Sequence, residues 1–216
     1  MYAIMSAKEV LEMYFQHLYA KGVKLSELAA MQRYLTVQTS VRKADSVQMN
    51  HSIEELTPVR LSSRVRERIA ELHLAKKARS NAVGIEDIEI GTSAKFMRTL
   101  SVDLREEYFS EEVHFFQEKY GKENVLYGVC HVNEDNPHIH IGIIPITSDG
   151  RLSASELFTA KLLKILRTEF HKTVAAKYGL ECGKSPDNNR LERVKSNLKE
   201  LKTKLKKLAE SLDGSE

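Results

Sequence analysis

Two short apolar runs constrain this chain more than any other feature. Residues 125–132 and 139–146 are rich in β-forming side chains, and only a few residues, Pro137 among them, separate the two. So short a connection has no room for a crossover, so the runs must pair antiparallel. The second run alternates histidine and glycine with isoleucine, the period of a strand whose two faces differ. A third strand is expected over residues 82–90, where Val83, Ile85, Ile88 and Ile90 stand among Glu86, Asp87 and Glu89. A helix over residues 101–120, ended by Gly121, fills the gap between this strand and the next. Residues 157–178 read as another helix, stopped by Gly179, after a turn at Ser148-Asp149-Gly150-Arg151. The expected class is α+β: a central antiparallel β-sheet with helices packed on its faces.

The first third is less regular. Residues 2–5 are short and apolar. Residues 8–35 read as helix-rich, because Val10, Leu11, Tyr14, Phe15 and Leu18 recur at helical spacing. Gly22 divides that region and Ser26 is placed to cap a second helix. Residues 36–58 are polar and hold a loop or an edge strand. Helical spacing returns over residues 62–79 through Val65, Ile69 and Leu72.

Charge sharpens the organisation. The 33 basic and 30 acidic residues give a net charge of only +3, too small to name a partner. Eight Lys/Arg and five acids fall beyond residue 187, which leaves the preceding body neutral. In that tail Leu191, Val194, Leu198, Leu201, Leu205, Leu208 and Leu212 follow a 3-4 heptad seam. The expected division is therefore a body over residues 1–187 and an amphipathic or coiled-coil helix over residues 188–216, leading toward a further C-terminal region. The helix either dimerises or packs back on its own body. Two cysteines, Cys130 and Cys182, cannot build a disulfide framework or a four-thiolate zinc site. No apolar run nears the roughly 20 residues of a membrane span, and no secretion signal opens the chain, so the cytoplasm is the expected location.

The densest chemistry is His131-Val132-Asn133-Glu134-Asp135-Asn136-Pro137-His138-Ile139-His140. On a strand, His138 and His140 share a face. His131 ends the preceding strand, and the turn brings it back beside them. Three imidazoles can thus converge while other ligand positions stay open, which is how a catalytic divalent metal is held.

His-x-x-Glu-x-x-Pro-His-x-His, running into Ile-Gly-Ile-Ile-Pro-Ile-Thr-Ser-Asp-Gly-Arg-Leu-Ser-Ala, resembles the signature of the plasmid mobilisation/recombination (Mob/Pre, MobV-type) relaxases, within the His-hydrophobic-His endonuclease group. The likeness extends to Arg79-Ser80-Asn81-Ala82-Val83, to Thr92-Ser93, to the segment from Lys119 to Val125 and to Lys177-Tyr178-Gly179-Leu180-Glu181. Tyr2-Ala3-Ile4-Met5 looks like the family's first strand. The resemblance implies a metal-dependent relaxase that nicks single-stranded or hairpin origin-of-transfer DNA by transesterification, leaving a 5′-phosphoryl–protein link. It implies a divalent metal on His131, His138 and His140, with Mn²⁺ foremost and Zn²⁺ or Mg²⁺ as alternatives. Glu134 would orient or deprotonate the nucleophile, Arg79 would position the nucleophile or phosphate, and Asn50 would contact DNA.

Two departures stand out. Asn133 takes the place of a family aspartate, removing charge near the metal. The family's His-Asn-x-Arg nucleophile segment has no clean counterpart. Phe15-Gln16-His17 echoes its lead-in and makes His17 the expected nucleophile. Ala30-Met31-Gln32-Arg33 keeps the arginine but sets alanine at the nucleophile's place, and Tyr14, Tyr19 and Tyr34 lie near. Rival readings are a non-nicking origin- or hairpin-binding protein that retains the metal site, and a rolling-circle replication or transposition nuclease. His51, His73, His114 and His171 stand outside any motif and are expected to be structural or on the surface.

Overall fold

The computed structural model describes residues 15–40, 50–53, 56–72, 78–132 and 137–182. The expected strand at residues 2–5 and the heptad helix lie outside these residues, as do Tyr14, His73, Asn133 and Glu134. In chain order the elements are β1 (Phe15–Lys24), α1 (Leu28–Ser40), β2 (His51–Ser52), α2 (Leu61–Glu71), β3 (Val83–Thr92), α3 (Ala94–Thr99) and α4 (Val102–Tyr120). They continue with β4 (Val125–His131), β5 (His138–Ile143), α5 (Ala154–Leu157), α6 (Ala160–Thr173) and β6 (Glu181–Cys182).

Among the described residues six strands form one sheet in the order β2-β4-β5-β3-β1-β6. Its pairings are antiparallel except for the short parallel contact of β6 with β1. The α+β class and the β4–β5 hairpin match the expectation. So does the edge strand, which is β2, pairing His51 with Cys130. The helix over 102–120 is bounded as expected: Ser101 Oγ accepts the Leu104 N–H at 3.3 Å, and Gly121 ends it at φ 90°.

Two expectations fail. Residues 15–24 form a strand rather than a helix. Read as a strand, Leu18 and Ala20 point to one face while His17, Tyr19 and Lys21 point to the other, and the run pairs with β3 along nearly its whole length. Pairing with a strand about 70 residues away overrode a local spacing that fitted a helix. The expected single helix over 157–178 is also broken. Thr159 caps a new helix through the Leu162 N–H, and a 3₁₀ turn at Ala175–Tyr178 follows before Gly179 at φ 72°.

Helices cover both faces. On one, Leu18, Ile88, Ile90, Cys130, Ile139 and Ile141 pack against Tyr108, Phe109, Val113 and Phe116 of α4 and Leu166 and Phe170 of α6. Each fully buried side chain of this size contributes about 1.5–3 kcal/mol. Arg167 of α6 ties this layer to β1 by donating to the Leu18 carbonyl at 3.1 Å. On the other face, Val23, Ile85, Leu126 and Val129 pack against Leu28 and Leu35 of α1 and Leu61 and Val65 of α2. Among the described residues that second layer leaves Tyr19 and Lys21 exposed.

Candidate functional site

Strand register assembles the site. His17 of β1 pairs with Gly91 of β3, Gly91 with His138 of β5, and His138 with His131 of β4. Directly paired residues share a face, so three histidines and a glycine form one row across the sheet. Two residues along, Tyr19, Glu89, His140 and Val129 make the next row on that face; Lys21, Asp87, Gly142 and Tyr127 make the third. The glycines leave space that large side chains cross. The His17 ring lies over Gly91, where a Cβ would stand 2.5 Å from His17 Nε2, and the Tyr127 ring lies over Gly142.

The expected triad converges. The ring centroids of His131, His138 and His140 are 4.8, 4.9 and 5.1 Å apart, and one nitrogen from each falls within 4.8 Å of the others. His131 Nδ1 and His138 Nε2 are 3.1 Å apart. Burial, and then the neighbouring rings of His140 and His138, push the His131 pKa down to about 3. Its imidazole is therefore neutral, the form that ligates a metal. His140 Nδ1 lies 3.0 Å from Asp87 Oδ2, and Tyr127 donates its hydroxyl to Asp87 Oδ1 at 2.8 Å. Burial and then Asp87 raise the Tyr127 pKa, so that hydroxyl stays protonated. The carboxylate holds the Nδ1–H tautomer of His140 and leaves Nε2 as the electron-pair donor. Neutral, clustered imidazoles backed by a carboxylate fit a divalent transition metal better than Mg²⁺, which prefers oxygen ligands.

An open cleft of about 490 Å³ adjoins the triad, lined by Tyr19, Lys21, Ala30, Tyr34, Glu89 and His140, among others. Tyr34 comes from α1, and its ring stands edge-on to His131 at 6.2 Å and to His140 at 6.1 Å. His17 is half-buried, with its ring edge-on to Tyr19 at 5.4 Å. Burial lowers its pKa, Glu89 raises it and His138 lowers it, in that order of weight.

The other expected residues divide. Asn50 is buried, and its Oδ1 accepts the Val132 N–H at 2.9 Å, pinning the backbone just after His131. Arg79 is exposed in the turn before β3, at the opposite end of that strand from Gly91, and is not brought to the triad. Glu134 lies outside the described residues. His51 pairs with Glu106 at 2.7 Å, and His171 Nε2 meets the Leu180 carbonyl at 2.8 Å. Sequence reasoning missed Asp87 and Tyr127. The available signal was an acidic residue inside an apolar strand, where an unpartnered carboxylate is costly.

A sheet that gathers three imidazoles, one of them backed by a carboxylate, beside an open cleft makes a candidate centre for a divalent metal. Residues 9–204 match the Mob_Pre model, described as plasmid recombination enzyme, and the chain belongs to this family. A plasmid recombination enzyme of Bacillus thuringiensis is 36% identical over 123 residues, covering 57% of this chain and 27% of that protein. The type 1 enzyme of Staphylococcus aureus is 35% identical over 141 residues, covering 64% of this chain and 35% of that protein. The chain thus spans 27% and 35% of the length of these two relatives. Among solved structures, the Mn-bound relaxase domain of MobM with 22-nucleotide plasmid pMV158 oriT DNA superposes with a TM-score of 0.69. Identity there is 20%, over 81% of this chain and 92% of that one, so the likeness is one of fold. The same domain bound to 26-nucleotide oriT DNA gives a TM-score of 0.67 at 20% identity, over 80% of this chain and 92% of that one.

Proposed function

We propose that this chain is the nicking domain of a relaxase that cuts single-stranded or hairpin origin-of-transfer DNA by transesterification. The observation that carries this reading is the convergence of His131, His138 and His140 with Asp87 behind His140. A bound divalent ion, Mn²⁺ foremost by analogy with the manganese in the MobM domain, would polarise the scissile phosphate and stabilise its negative charge. The chain's own residues do the rest. Asp87 fixes the orientation of His140, and Asn50 fixes the backbone that carries His131, a positioning role rather than a DNA contact. Lys21 lines the cleft, where its ammonium attracts DNA phosphates. His17 and Tyr34 both border the triad and carry atoms able to attack phosphorus. Glu134, which falls between His131 and His138 in the sequence, is proposed to orient or deprotonate the attacking group.

Attack by a protein side chain displaces the 3′ oxygen from phosphorus, giving a 5′-phosphoryl–protein link and a free 3′ hydroxyl. The bond energy is retained, so the strand can be rejoined. The heptad helix over residues 188–216 is proposed as a dimer seam or a helix leading to a further region, and the cytoplasm as the place of action. Among the described residues no helix is long and apolar enough to cross a membrane.

Labelled single-stranded oligonucleotides tiled across the DNA flanking the gene, incubated with the protein and Mn²⁺, test the reading. Cleavage at one position that chelator stops and His138→Ala abolishes is the expected result. Binding without cleavage would replace this reading with that of an origin-binding protein.

A further inference from the structure

His17, Tyr19 and Tyr34 differ in how they meet the triad. His17 is held in a strand that is paired along its length, with its ring laid over Gly91 and edge-on to Tyr19 of the same strand. Tyr19 belongs to the His140 row but is separated from it by the whole width of β3, where Glu89 stands between them. Tyr34 enters from a different layer. Helix α1 lowers its ring onto the triad, edge-on to His131 with an interplanar angle of 73° and to His140 with one of 84°. It contacts two of the three ring ligands at once, yet remains 45% exposed, so a strand lying in the cleft can reach it. One helical turn before it, Ala30 lines the same cleft with a side chain too small to shield the phenol.

On the relaxase reading above, we propose that Tyr34 is the nucleophile, and that the covalent link to DNA is a phosphotyrosyl ester. The phenol loses its proton to solvent, and its oxygen bonds to the scissile phosphorus. The bond from phosphorus to the 3′ oxygen breaks, and that oxygen takes up a proton as it leaves. No oxidant or further reactant is needed. A phenolate is a better leaving group than the alkoxide of a sugar, so attack by a 3′ hydroxyl on this ester rejoins the strand.

The experiment is trapping of the adduct between the full chain and the tiled single-stranded oligonucleotides in Mn²⁺, followed by acid treatment and peptide mapping. A phosphotyrosyl ester survives acid, whereas a phosphorus–nitrogen bond to histidine hydrolyses. The expected result is an acid-stable adduct on Tyr34 and its loss in Tyr34→Phe, a variant that melts like the parent and still binds the oligonucleotide. An acid-labile adduct on His17, or an acid-stable one on Tyr19, would overturn the assignment and leave the nicking reading intact. Binding by the parent chain with no adduct on any residue would overturn both.

Discussion

The two faces of this one sheet are made by the same strands and do opposite things. Along β3, Ile88 and Ile90 turn toward α4 and α6 and vanish into a core of aromatic rings, while Asp87 and Glu89 turn toward histidines. Along β5, Ile139 and Ile141 alternate with His138 and His140 in the same way. The face packed by α4 and α6 holds the strands at fixed spacing, and that spacing sets the 4.8–5.1 Å ring separations on the other. Period-two alternation thus lets a tightly packed core and a polar centre occupy the same residues' backbones without sharing side chains. Stability should reside mostly on one face, and metal affinity and chemistry on the other.

The adjacent acids Glu86 and Asp87 give the contrast at its smallest scale. Asp87 meets Tyr127 and His140. Glu86, on the helix-packed side with Leu18 and Ile88, is driven by burial, and then by Asp87, up to a pKa of about 7.

The largest effect is expected from the packed face. Phe116→Ala removes a fully buried ring that stacks near Phe170 and Tyr120, and should cost about 3–5 kcal/mol in denaturant unfolding. Below its unfolding transition it should bind Mn²⁺ as the parent does; a matching collapse of affinity would show that the faces are not separable. Next comes Asp87→Asn, which should weaken Mn²⁺ binding about 10–100-fold with little change in melting temperature. Unchanged affinity would remove Asp87 from the account of the site.

The smallest is Glu86→Gln. Native Glu86 holds its proton up to about pH 7, whereas the unfolded carboxyl releases it near 4.5. The native state therefore binds the extra proton between those values, and stability falls as pH rises through that window. Removing the group should raise stability above neutral pH by on the order of 1–2 kcal/mol and flatten the profile between pH 5 and 7, roughly the span of the shift. An unaltered slope would assign the pH dependence elsewhere.

What the sequence makes legible follows the range of the contacts involved. The triad was readable because all three histidines sit on one hairpin, where a short turn fixes which residues meet. Helix α4 was readable from Ser101 and Gly121, since caps are local chemistry. β1 was not, because Leu18 and Phe15 also fitted a helical repeat and only pairing with distant β3 decides the period. For the same reason Asp87 is not legible as a neighbour of the triad, and Tyr34 stands in the sequence only as one of three tyrosines near the nucleophile segment. Asp87 reaches His140 only through the β3–β5 register, and Tyr34 only through the packing of α1 over the sheet. His17 could be singled out by motif, but its place in the His138 row required two strand pairings.

The central claim is that the polar face is a divalent-metal centre built by His131, His138 and His140. Calorimetric titration of Mn²⁺ into the metal-free protein, beside His138→Ala, tests it most directly. One ion bound per chain by the parent, and loss of that binding in a variant that melts normally, is the predicted result. Equal binding by both proteins, or none by the parent, would contradict it.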